Sequence, residues 1–501
     1  METYTTDKAL TTMGFGKFQG LVLAYAGMGW VAESMELMLL SFVGPLVRGE
    51  WEVSAQDESL LSSVVFCGML IGSCSWGLVS DRYGRRTALL FSTLFTTGMG
   101  FISAFSPNYL CLMALRFLVG VGVGGGHVFA SWFLEFVPAQ NRGIWMVIFS
   151  FFWTLGTVLE ASLAWVVISA LSWRWLLAFT ALPVFLLLPF FGITPESPRY
   201  LCAQNRMPDA TLVLERISMT NQAALPPGIL TYNREREVDH IALAREIDHL
   251  LPVREKDCTD DIAKSSKSGS VSALRSLLSR NLRRSTFLLW FVFFANSFAY
   301  YGLVLLTSQL SDANRSCVSG MRYVKTEQDA SLYMDTFVTS LAEIPGLIVS
   351  AVLVERFGRK ATMWCLLLTC CGFLGPLVLH QSELWTTGLL FGARACAMGS
   401  STVLCLYAPE VRIDLLWHAV NVFFGHLVFT YVEFNLLKNP SGILLVAIFT
   451  VYPSMCLEYS NGSFLFKYSM SALHFITKIL TTPCGKNLIQ VKHSIASVLI
   501  N

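Results

Sequence analysis

Runs of about twenty apolar residues recur along the chain, and they limit the folds that the chain can adopt. Hydrophobic residues make up 54% of the 501 residues and charged residues only 14%. That balance is typical of a chain with many membrane spans and excludes one soluble core. Because lipid offers no water to satisfy backbone polar groups, runs of this length predict transmembrane helices. We therefore expect an all-α membrane protein.

Ten runs reach the length that a bilayer requires, six in the first half of the chain and four in the second. Their limits are 21–47, 60–79, 88–105, 109–133, 145–168, 175–191, 286–306, 331–354, 361–379 and 384–407. Between the two sets lies one long polar stretch, 194–284, whose many Lys and Arg residues predict a cytoplasmic location. It contains a predicted amphipathic helix at 209–220. Six spans before this stretch place the N-terminus in the cytoplasm as well.

A short charged turn lies between the second and third runs. It reads Gly77-x-x-x-Asp81-Arg82-x-Gly84-Arg85-Arg86. Short loops rich in arginine stay on the cytoplasmic side. We expect Gly77 to let two helices approach closely and Gly84 to permit a turn that a residue with a Cβ would resist. By itself such a turn is explained equally well as a topology signal.

A second copy of this turn indicates a duplication. The pattern returns 274 residues after Asp81, as Glu355-Arg356-x-Gly358-Arg359-Lys360. A further pair, Glu135 and Glu410, repeats at an offset of 275 residues. Many transporters are built from such repeats, with the solute site between the halves near the bilayer midplane. The repeat makes a plain topology signal the weaker explanation of the two turns.

Six charged residues lie near the middle of the predicted spans. The acids are Glu33, Glu36, Glu160 and Glu343, and the bases are Arg116 and Arg394. An ionisable group in a span costs a few kcal/mol and mostly faces a wet cavity. Glu33 and Glu36 are three residues apart and share a helical face. Four acids against two bases favour a cation, a zwitterion or a proton as the ligand.

Aromatic residues complete the candidate solute site. A quaternary ammonium binds a carboxylate together with aromatic faces, and the available rings are Trp30, Trp153, Tyr300 and Tyr301. Arg116 or Arg394 could hold a solute carboxylate through a paired hydrogen-bond fork. The structural alternative is that each acid pairs with a base or backbone group inside the bundle. For Glu343, beside Pro345, that alternative is a carboxylate that satisfies a kinked helix.

These motifs together resemble the signature set of the major facilitator superfamily. The two charged turns are joined by Arg116-x-x-x-Gly120 in the fourth run and by Pro195-Glu196-Ser197-Pro198-Arg199 after the sixth. Segments 13–18, 32–36, 130–132 and 173–179 are similar to the plant organic cation/carnitine transporter branch, which is related to synaptic vesicle glycoprotein-like carriers and bacterial niacin transporters. The similarity covers residues 3–410.

The resemblance implies two six-helix bundles that work by alternating access. The implied activity is secondary active transport of small organic ions, carnitine or other organic cations, with proton coupling suggested by the setting of Arg116. It also implies that Asp81 pairs with basic residues and with the start of the eleventh helix. The two charged turns would then form a conformational latch, whose charged hydrogen bonds form in one state and break in another. The alternatives are a carrier of nicotinate or other organic anions and a truncated membrane protein that does not transport. We expect a monomer in the plasma membrane or the vacuolar membrane.

Other function classes find no support in the sequence. Gly120-x-Gly122-x-x-Gly125 matches a dinucleotide fingerprint, but it lies inside an apolar run, where small residues make helix contacts. Thirteen cysteines are scattered, and eight histidines show no metal-ligand spacing. We therefore expect no enzyme activity, cofactor, metal or nucleic-acid partner. The first eighteen residues predict no signal peptide, and Asn314 begins a glycosylation triplet in the predicted outer loop.

The sequence divides into four segments. Residues 1–193 form the expected first bundle, 194–284 the cytoplasmic loop and 285–410 a second bundle with four clear helices. The family pattern stops after Glu410, and residues 411–501 diverge. The codons GAG GTA AGA can encode residues 410–412 and contain a splice-donor sequence, so our hypothesis is that the tail is translated intron or a gene-model artefact. Sequencing the transcript across this point tests it.

Overall fold

The computed structural model describes residues 2–138, 142–231, 292–293, 295–305, 307, 325–378 and 383–407. In these residues almost all regular structure is helical, and one pair of two-residue strands is the exception. The predicted all-α class is therefore confirmed. The expectations for Asn314, for Glu410 and for the tail 411–501 lie outside the described residues.

In the described residues of the N-terminal half, nine helices precede residue 188, and a 3₁₀ turn follows at Leu188–Ile193. They are α1 (Thr6–Met13), α2 (Lys17–Trp51), α3 (Ala55–Tyr83), α4 (Arg85–Ser103), α5 (Tyr109–Val123), α6 (His127–Leu134), α7 (Arg142–Ala170), α8 (Trp173–Thr180) and α9 (Leu182–Leu187). The next segment contributes α10 (Pro198–Ala203) and α11 (Met207–Asn221).

The described part of the C-terminal half has four helices besides the helical residues 292–293, 295–305 and 307. They are α12 (Lys325–Leu341), α13 (Glu343–Phe357), α14 (Arg359–Leu374) and α15 (Glu383–Tyr407), with a 3₁₀ turn at Gly375–Val378. The predicted span 286–306 is thus described only in part.

Eight helical segments in the described residues are long and apolar enough to cross a membrane. They are Lys17–Trp51, Asp57–Tyr83, Tyr109–Leu134, Arg142–Ala170, Trp173–Gly192, Tyr333–Phe357, Arg359–Leu377 and Leu384–Leu406. These correspond to eight of the ten predicted runs. The run 88–105 also forms a helix, α4. This helix is less apolar than the eight segments above, because it includes Arg86 and several Thr, Ser and Gly residues.

Helices α3 and α5 meet backbone to backbone at four glycines. A Cβ at Gly68 would overlap the carbonyl oxygen of Phe117, and one at Gly120 would overlap that of Val65. Gly72 and Gly124 make equivalent contacts one turn further on. Small residues permit such close packing of membrane helices. The glycine pattern around Gly120 therefore serves helix packing, as we expected.

The two repeated turns have the same local geometry. Gly84 ends α3 with φ +103°, and Gly358 ends α13 with φ +76°, a region that favours glycine. Each glycine donates its N–H to the carbonyl four residues earlier and then begins the next helix. The duplication seen in the sequence is therefore present in the backbone.

A small module forms around the start of α2. Strand β1 (Thr3–Tyr4) pairs in parallel with β2 (Ile229–Leu230), which brings the N-terminus beside the segment after α11. Helix α11 confirms the predicted amphipathic helix, and it buries Ala210, Leu214 and Ile217 on one face. Its last residue, Asn221, accepts a hydrogen bond from the Phe18 N–H at 2.9 Å. The first span is thus tied to the segment that follows the sixth.

Candidate functional site

One buried ion pair lies inside the N-terminal half. Glu36 Oε2 on α2 lies 2.8 Å from Arg116 Nη1 on α5, and Arg116 Nη2 donates to Ser103 Oγ at 3.0 Å. Gly100 makes room for this pair, because a Cβ there would lie 2.8 Å from Glu36 Oε1. Both side chains are buried, so each charge depends on the other for compensation.

Glu160 lies in the same buried region, close enough to interact electrostatically with Glu36 and Arg116. Its two oxygens lie 3.0 and 3.1 Å from Thr180 Oγ1. Thr180 Oγ1 also lies 2.8 Å from the carbonyl oxygen of Leu176. A hydroxyl has one proton to donate, so if it goes to Leu176, the carboxyl of Glu160 must donate to Thr180. These contacts therefore fit a protonated Glu160.

A second buried ion pair lies in the C-terminal half. Glu343 Oε1 at the start of α13 lies 3.0 Å from Arg394 Nε and 2.9 Å from Arg394 Nη2. Tyr300 Oη donates to the same oxygen at 2.8 Å. Arg394 Nη2 also lies 3.7 Å from Met38 Sδ on α2, which belongs to the other half. Glu343 is 0% exposed and Arg394 is 1% exposed.

The other oxygen of Glu343 faces the N-terminal half. Thr154 Oγ1 and Thr157 Oγ1 on α7 lie 3.1 and 3.3 Å from Glu343 Oε2. Glu343 therefore pairs with a base, Arg394, which is one form of the structural alternative given above. The chain turns at Ala342 before α13 begins, and the carboxylate at the first turn of that helix binds side chains of both halves.

Glu33 stands apart from the other buried acids. It lies on α2 one turn before Glu36, and a Cβ at Gly126 would overlap its carboxylate. Tyr301 lies within electrostatic range of this carboxylate. Among the residues that the structure describes, Glu33 has no hydrogen bond or ion pair, although it is only 8% exposed. A buried carboxylate without a partner is costly and commonly marks a ligand or proton site.

Four aromatic rings connect the two halves beside Glu33. Trp30 and Trp153 have centroids 5.3 Å apart, Trp153 and Tyr300 6.4 Å, and Tyr300 and Tyr301 5.3 Å. Trp153 Nε1 donates to Tyr300 Oη at 2.7 Å. Sequence reasoning selected these rings by residue type, and the structure brings them together as a continuous row.

The first charged turn makes ion pairs and hydrogen bonds with residues of its own half. Arg85 Nη1 lies 2.6 Å from Asp81 Oδ1, and Arg85 Nε lies 3.1 Å from Glu135 Oε1. Burial lowers the pKa of Arg85, but the carboxylates of Glu135 and Asp81 outweigh it and hold that pKa above its usual value. The Arg82 carbonyl accepts a hydrogen bond from Tyr200. The expected contact of Asp81 with an eleventh helix lies outside the described residues.

Glu196 of the Pro-Glu-Ser-Pro-Arg box caps the helix that follows this turn. Its Oε1 accepts the backbone N–H groups of Arg85 at 3.0 Å and Arg86 at 3.2 Å, which are among the unpaired donors at the start of α4. Burial raises the pKa of Glu196, and the backbone hydrogen bonds act in the opposite direction. Arg86 also donates to the carbonyl of Phe191. The box therefore docks on the turn, a contact that its sequence alone did not reveal.

The closest helix packing on α3 does not occur at Gly77, the glycine of the first charged turn. The predicted close approach at Gly77 is wrong, because a Cβ there would meet only His127 Nε2, at an ordinary 3.8 Å. The close approach on α3 occurs instead at Gly68 and Gly72. In the second turn, Glu355 and Arg356 are exposed and Arg359 is half-buried.

Sequence reasoning did not place several polar partners in the site. They are Ser103, Thr154, Thr157, Thr180 and Glu196. The three-residue spacing of Thr154 and Thr157 in an apolar run was a usable signal, because it puts both hydroxyls on one helical face. In the described part of the chain no cluster of three or more His, Cys, Asp and Glu residues could hold a metal ion.

The sequence matches a family of membrane proteins along most of its length. The family model described as Major Facilitator Superfamily matches residues 25–409. Organic cation/carnitine transporter 7 of Arabidopsis thaliana is 52% identical over 418 residues, covering 81% of this chain and 82% of that protein. The synaptic vesicle 2-related protein of Bos taurus is 36% identical over 421 residues, covering 82% of this chain and 70% of that protein.

A solved structure supports the same fold. The xylose transporter XylE from E. coli, in a partially occluded inward-open conformation, has a TM-score of 0.66 at 14% identity and covers 89% of this chain and 100% of that one. The family match ends at residue 409, beside the point where the sequence pattern breaks. The predicted resemblance and the multi-pass membrane fold are thereby confirmed. The chain belongs to the major facilitator superfamily, a family of membrane transporters.

Proposed function

We propose that this transporter carries small organic cations by alternating access. The observation that carries the proposal is Glu33, a buried carboxylate without a partner among the described residues. The other acids near the midplane are occupied, since Glu36 pairs with Arg116 and Glu343 pairs with Arg394. A positive solute group would supply the missing compensation at Glu33.

The surrounding rings suit a cation of low hydration. Trp30 lies three residues before Glu33 and shares its helical face, and Tyr301 approaches the carboxylate from the other half. A quaternary ammonium gains attraction from such ring faces as well as from the carboxylate. Carnitine has this head group, and the Arabidopsis relative is named for carnitine and organic cations. Both observations support a carnitine-like or similar ammonium solute.

The alternative of a nicotinate or other anion carrier needs a free arginine. Arg116 and Arg394 each hold a protein carboxylate at hydrogen-bond distance. An anionic solute that took the paired nitrogens of either guanidinium would displace that carboxylate, which would leave a buried acid uncompensated. The charge arrangement therefore favours a cation.

The N-terminal pair is our candidate for proton coupling. Glu160, Glu36 and Arg116 put two acids beside one base in a buried space, and the contacts of Thr180 fit a proton on Glu160. Release of this proton would leave two carboxylates to share Arg116, which would change the balance of forces between α2, α5 and α7. Proton movement and helix movement would thus be coupled.

The remaining assignments complete the proposal. The charged turns at Asp81 and Glu355 lie in the cytoplasm with the N-terminus, and Arg85 is the centre of a latch that changes partners during the cycle. The transporter works as a monomer in the plasma membrane or the vacuolar membrane. Residues 411–501 remain our candidate for translated intron, and a chain with the family C-terminus restored is the matched comparison.

Substitution of Glu33 by Gln tests the proposal. We expect uptake of radiolabelled L-carnitine and tetraethylammonium by transport-deficient cells to fall at least about tenfold, because roughly 1.4 kcal/mol of charge interaction is lost. Glu215→Gln, an exposed acid on α11, is the matched control. Unchanged uptake in Glu33→Gln would remove Glu33 from the site. Uptake by the restored chain but not by the printed one would support the truncated, non-transporting alternative.

A further inference from the structure

The carboxylate of Glu343 divides its two oxygens between the two halves of the protein. Oε1 receives Arg394 and Tyr300, both from the C-terminal half. Oε2 receives Thr154 and Thr157, both from α7 of the N-terminal half. Breaking the contacts at Oε2 therefore leaves the ion pair at Oε1 intact.

The two hydroxyls on α7 are not equivalent. Thr154 Oγ1 lies 3.1 Å from Glu343 Oε2, and no second acceptor for it occurs among the described residues. Thr157 Oγ1 lies 3.3 Å from Glu343 Oε2 but also 3.0 Å from the carbonyl of Thr154. Because each hydroxyl donates one proton, Thr154 gives the more constant bond and Thr157 can return to its own helix.

Helix α7 is well placed to transmit this contact. On another face it packs directly on α2, since a Cβ at Gly156 would overlap Ser34 Oγ and the carbonyl of Val31. The helix that holds Glu33 therefore moves with the helix that holds Thr154. A second connection runs from Trp153 on α7 through Tyr300 to the same carboxylate.

We propose that Thr154 and Thr157 are positioning residues of the transport cycle. Their hydroxyls form a clip that holds the halves together in the described conformation, and the clip opens when the halves rock apart. Because Arg394 stays with Glu343, opening the clip exchanges neutral hydroxyl bonds and strands no buried charge. The interface can then separate and re-form many times without the barrier that a broken ion pair would impose.

The inference rests on alternating access, which is part of the proposed function, but not on the identity of the solute. A solute-free measurement can therefore test it separately. Gly143 at the start of α7 and Leu406 near the end of α15 provide a reporter, because a Cβ on Gly143 would lie 4.0 Å from Leu406 Cδ2. Cysteines at both positions should be joined by a short bifunctional thiol reagent in the described conformation.

The experiment compares the Gly143→Cys/Leu406→Cys protein with and without Thr154→Val/Thr157→Val. Mass spectrometry of the cross-linked peptides measures the yield for this pair alone. We expect the valine variant to lower the ratio of cross-linked to open protein by about tenfold, the effect of losing one hydrogen bond to a charged group. Thr402→Val is the matched control, because Thr402 is buried on α15 and, among the residues that the structure describes, bonds only its own helix through the Met398 carbonyl. It should leave the ratio unchanged.

Two further variants keep the test decisive. Thr154→Ser/Thr157→Ser retains both hydroxyls and should restore cross-linking, and it separates hydrogen bonding from packing. In the uptake assay with radiolabelled tetraethylammonium, the valine variant should change Vmax at least about threefold at equal membrane abundance, with a smaller change in KM. Equal cross-linking in the valine and parent proteins, or no recovery with serine, would overturn the clip. Absence of tetraethylammonium and carnitine uptake in the parent would overturn the proposed function and leave the cross-linking result standing.

Discussion

The two buried glutamate–arginine pairs are similar in chemistry and different in connection. Glu36 and Arg116 lie wholly within the N-terminal half, where Arg116 also donates a hydrogen bond to Ser103. Glu343 and Arg394 are served by Tyr300 from their own half and by Thr154 and Thr157 from the other. The first pair therefore stabilises one bundle, and the second connects two. In the alternating access that we propose, the bundles stay rigid while the interface between them opens, so the first kind of contact would persist and the second would change.

The largest effect should come from leaving one member of the second pair without its partner. Arg394→Gln strands a fully buried carboxylate at Glu343, which we expect to cost about 3–5 kcal/mol and to abolish uptake. The double variant Glu343→Gln/Arg394→Gln removes both charges and should recover much of the lost stability. Thermal unfolding in detergent and membrane abundance measure both. Equal stability of the single and double variants would show that the ion pair is not what the site requires.

Arg116→Gln provides the contrast within the same prediction. It should destabilise the N-terminal half to a similar extent, because Glu36 is then stranded in its place. It should not change the Gly143–Leu406 cross-linking ratio, since the first pair makes no contact with the other half in the described residues. A parallel loss of cross-linking in both arginine variants would remove the distinction between the pairs.

Glu160→Gln should have an intermediate effect and sharpen the role of the first pair. The amide resembles a protonated carboxyl, so it can still donate to Thr180 and the fold should be retained. If Glu160 carries the coupled proton, uptake by the wild type falls as external pH rises, because fewer protons are available to enter with the solute. The variant should show a flat pH profile and no accumulation against a gradient. A wild-type pH profile in Glu160→Gln would assign coupling to another group.

Ser103→Ala should have the smallest effect of these substitutions. It removes the hydroxyl that accepts from Arg116 Nη2 and leaves the ion pair with Glu36 in place. We expect a loss of about 1.5 kcal/mol in stability, the usual value for a hydrogen bond to a charged group. Uptake per molecule and the cross-linking ratio should stay at wild-type values. A changed cross-linking ratio would show that the first pair also reports to the interface.

The sequence predicted the spans and the repeated turns well because their signals are local. Apolar length determines a membrane helix, and Gly84 and Gly358 have the required backbone conformation wherever the chain folds. The same reasoning selected the intramembrane charges and the aromatic rings by residue type, and the structure brings them together in two ion pairs and one row of rings. It did not predict which acid meets which base, because that depends on how four helices cross.

The misplaced packing glycine and the unassigned partners of Glu343 have a common physical origin. Gly77 was expected to pack closely because of its motif, whereas the closest packing on α3 occurs at Gly68 and Gly72, opposite Gly120 and Gly124. For Glu343 the sequence left open a base or the kinked helix at Pro345 as the partner, and the side chains that it meets are 43 to 189 residues away along the chain. Short-range rules cannot detect such contacts. A polar residue inside an apolar run is better matched first with other polar residues in other runs.

The contact between α3 and α5 limits where the molecule can change shape. At four glycines main chain rests on main chain, and no layer of side chains lies between them that could slide or repack. The two helices should therefore move as one rigid unit. Any change of shape within the first bundle then occurs between this unit and the other helices. Alanine at Gly68 or Gly120 would force the two helices apart. This interface is therefore a place where a substitution can block transport without changing the buried charges.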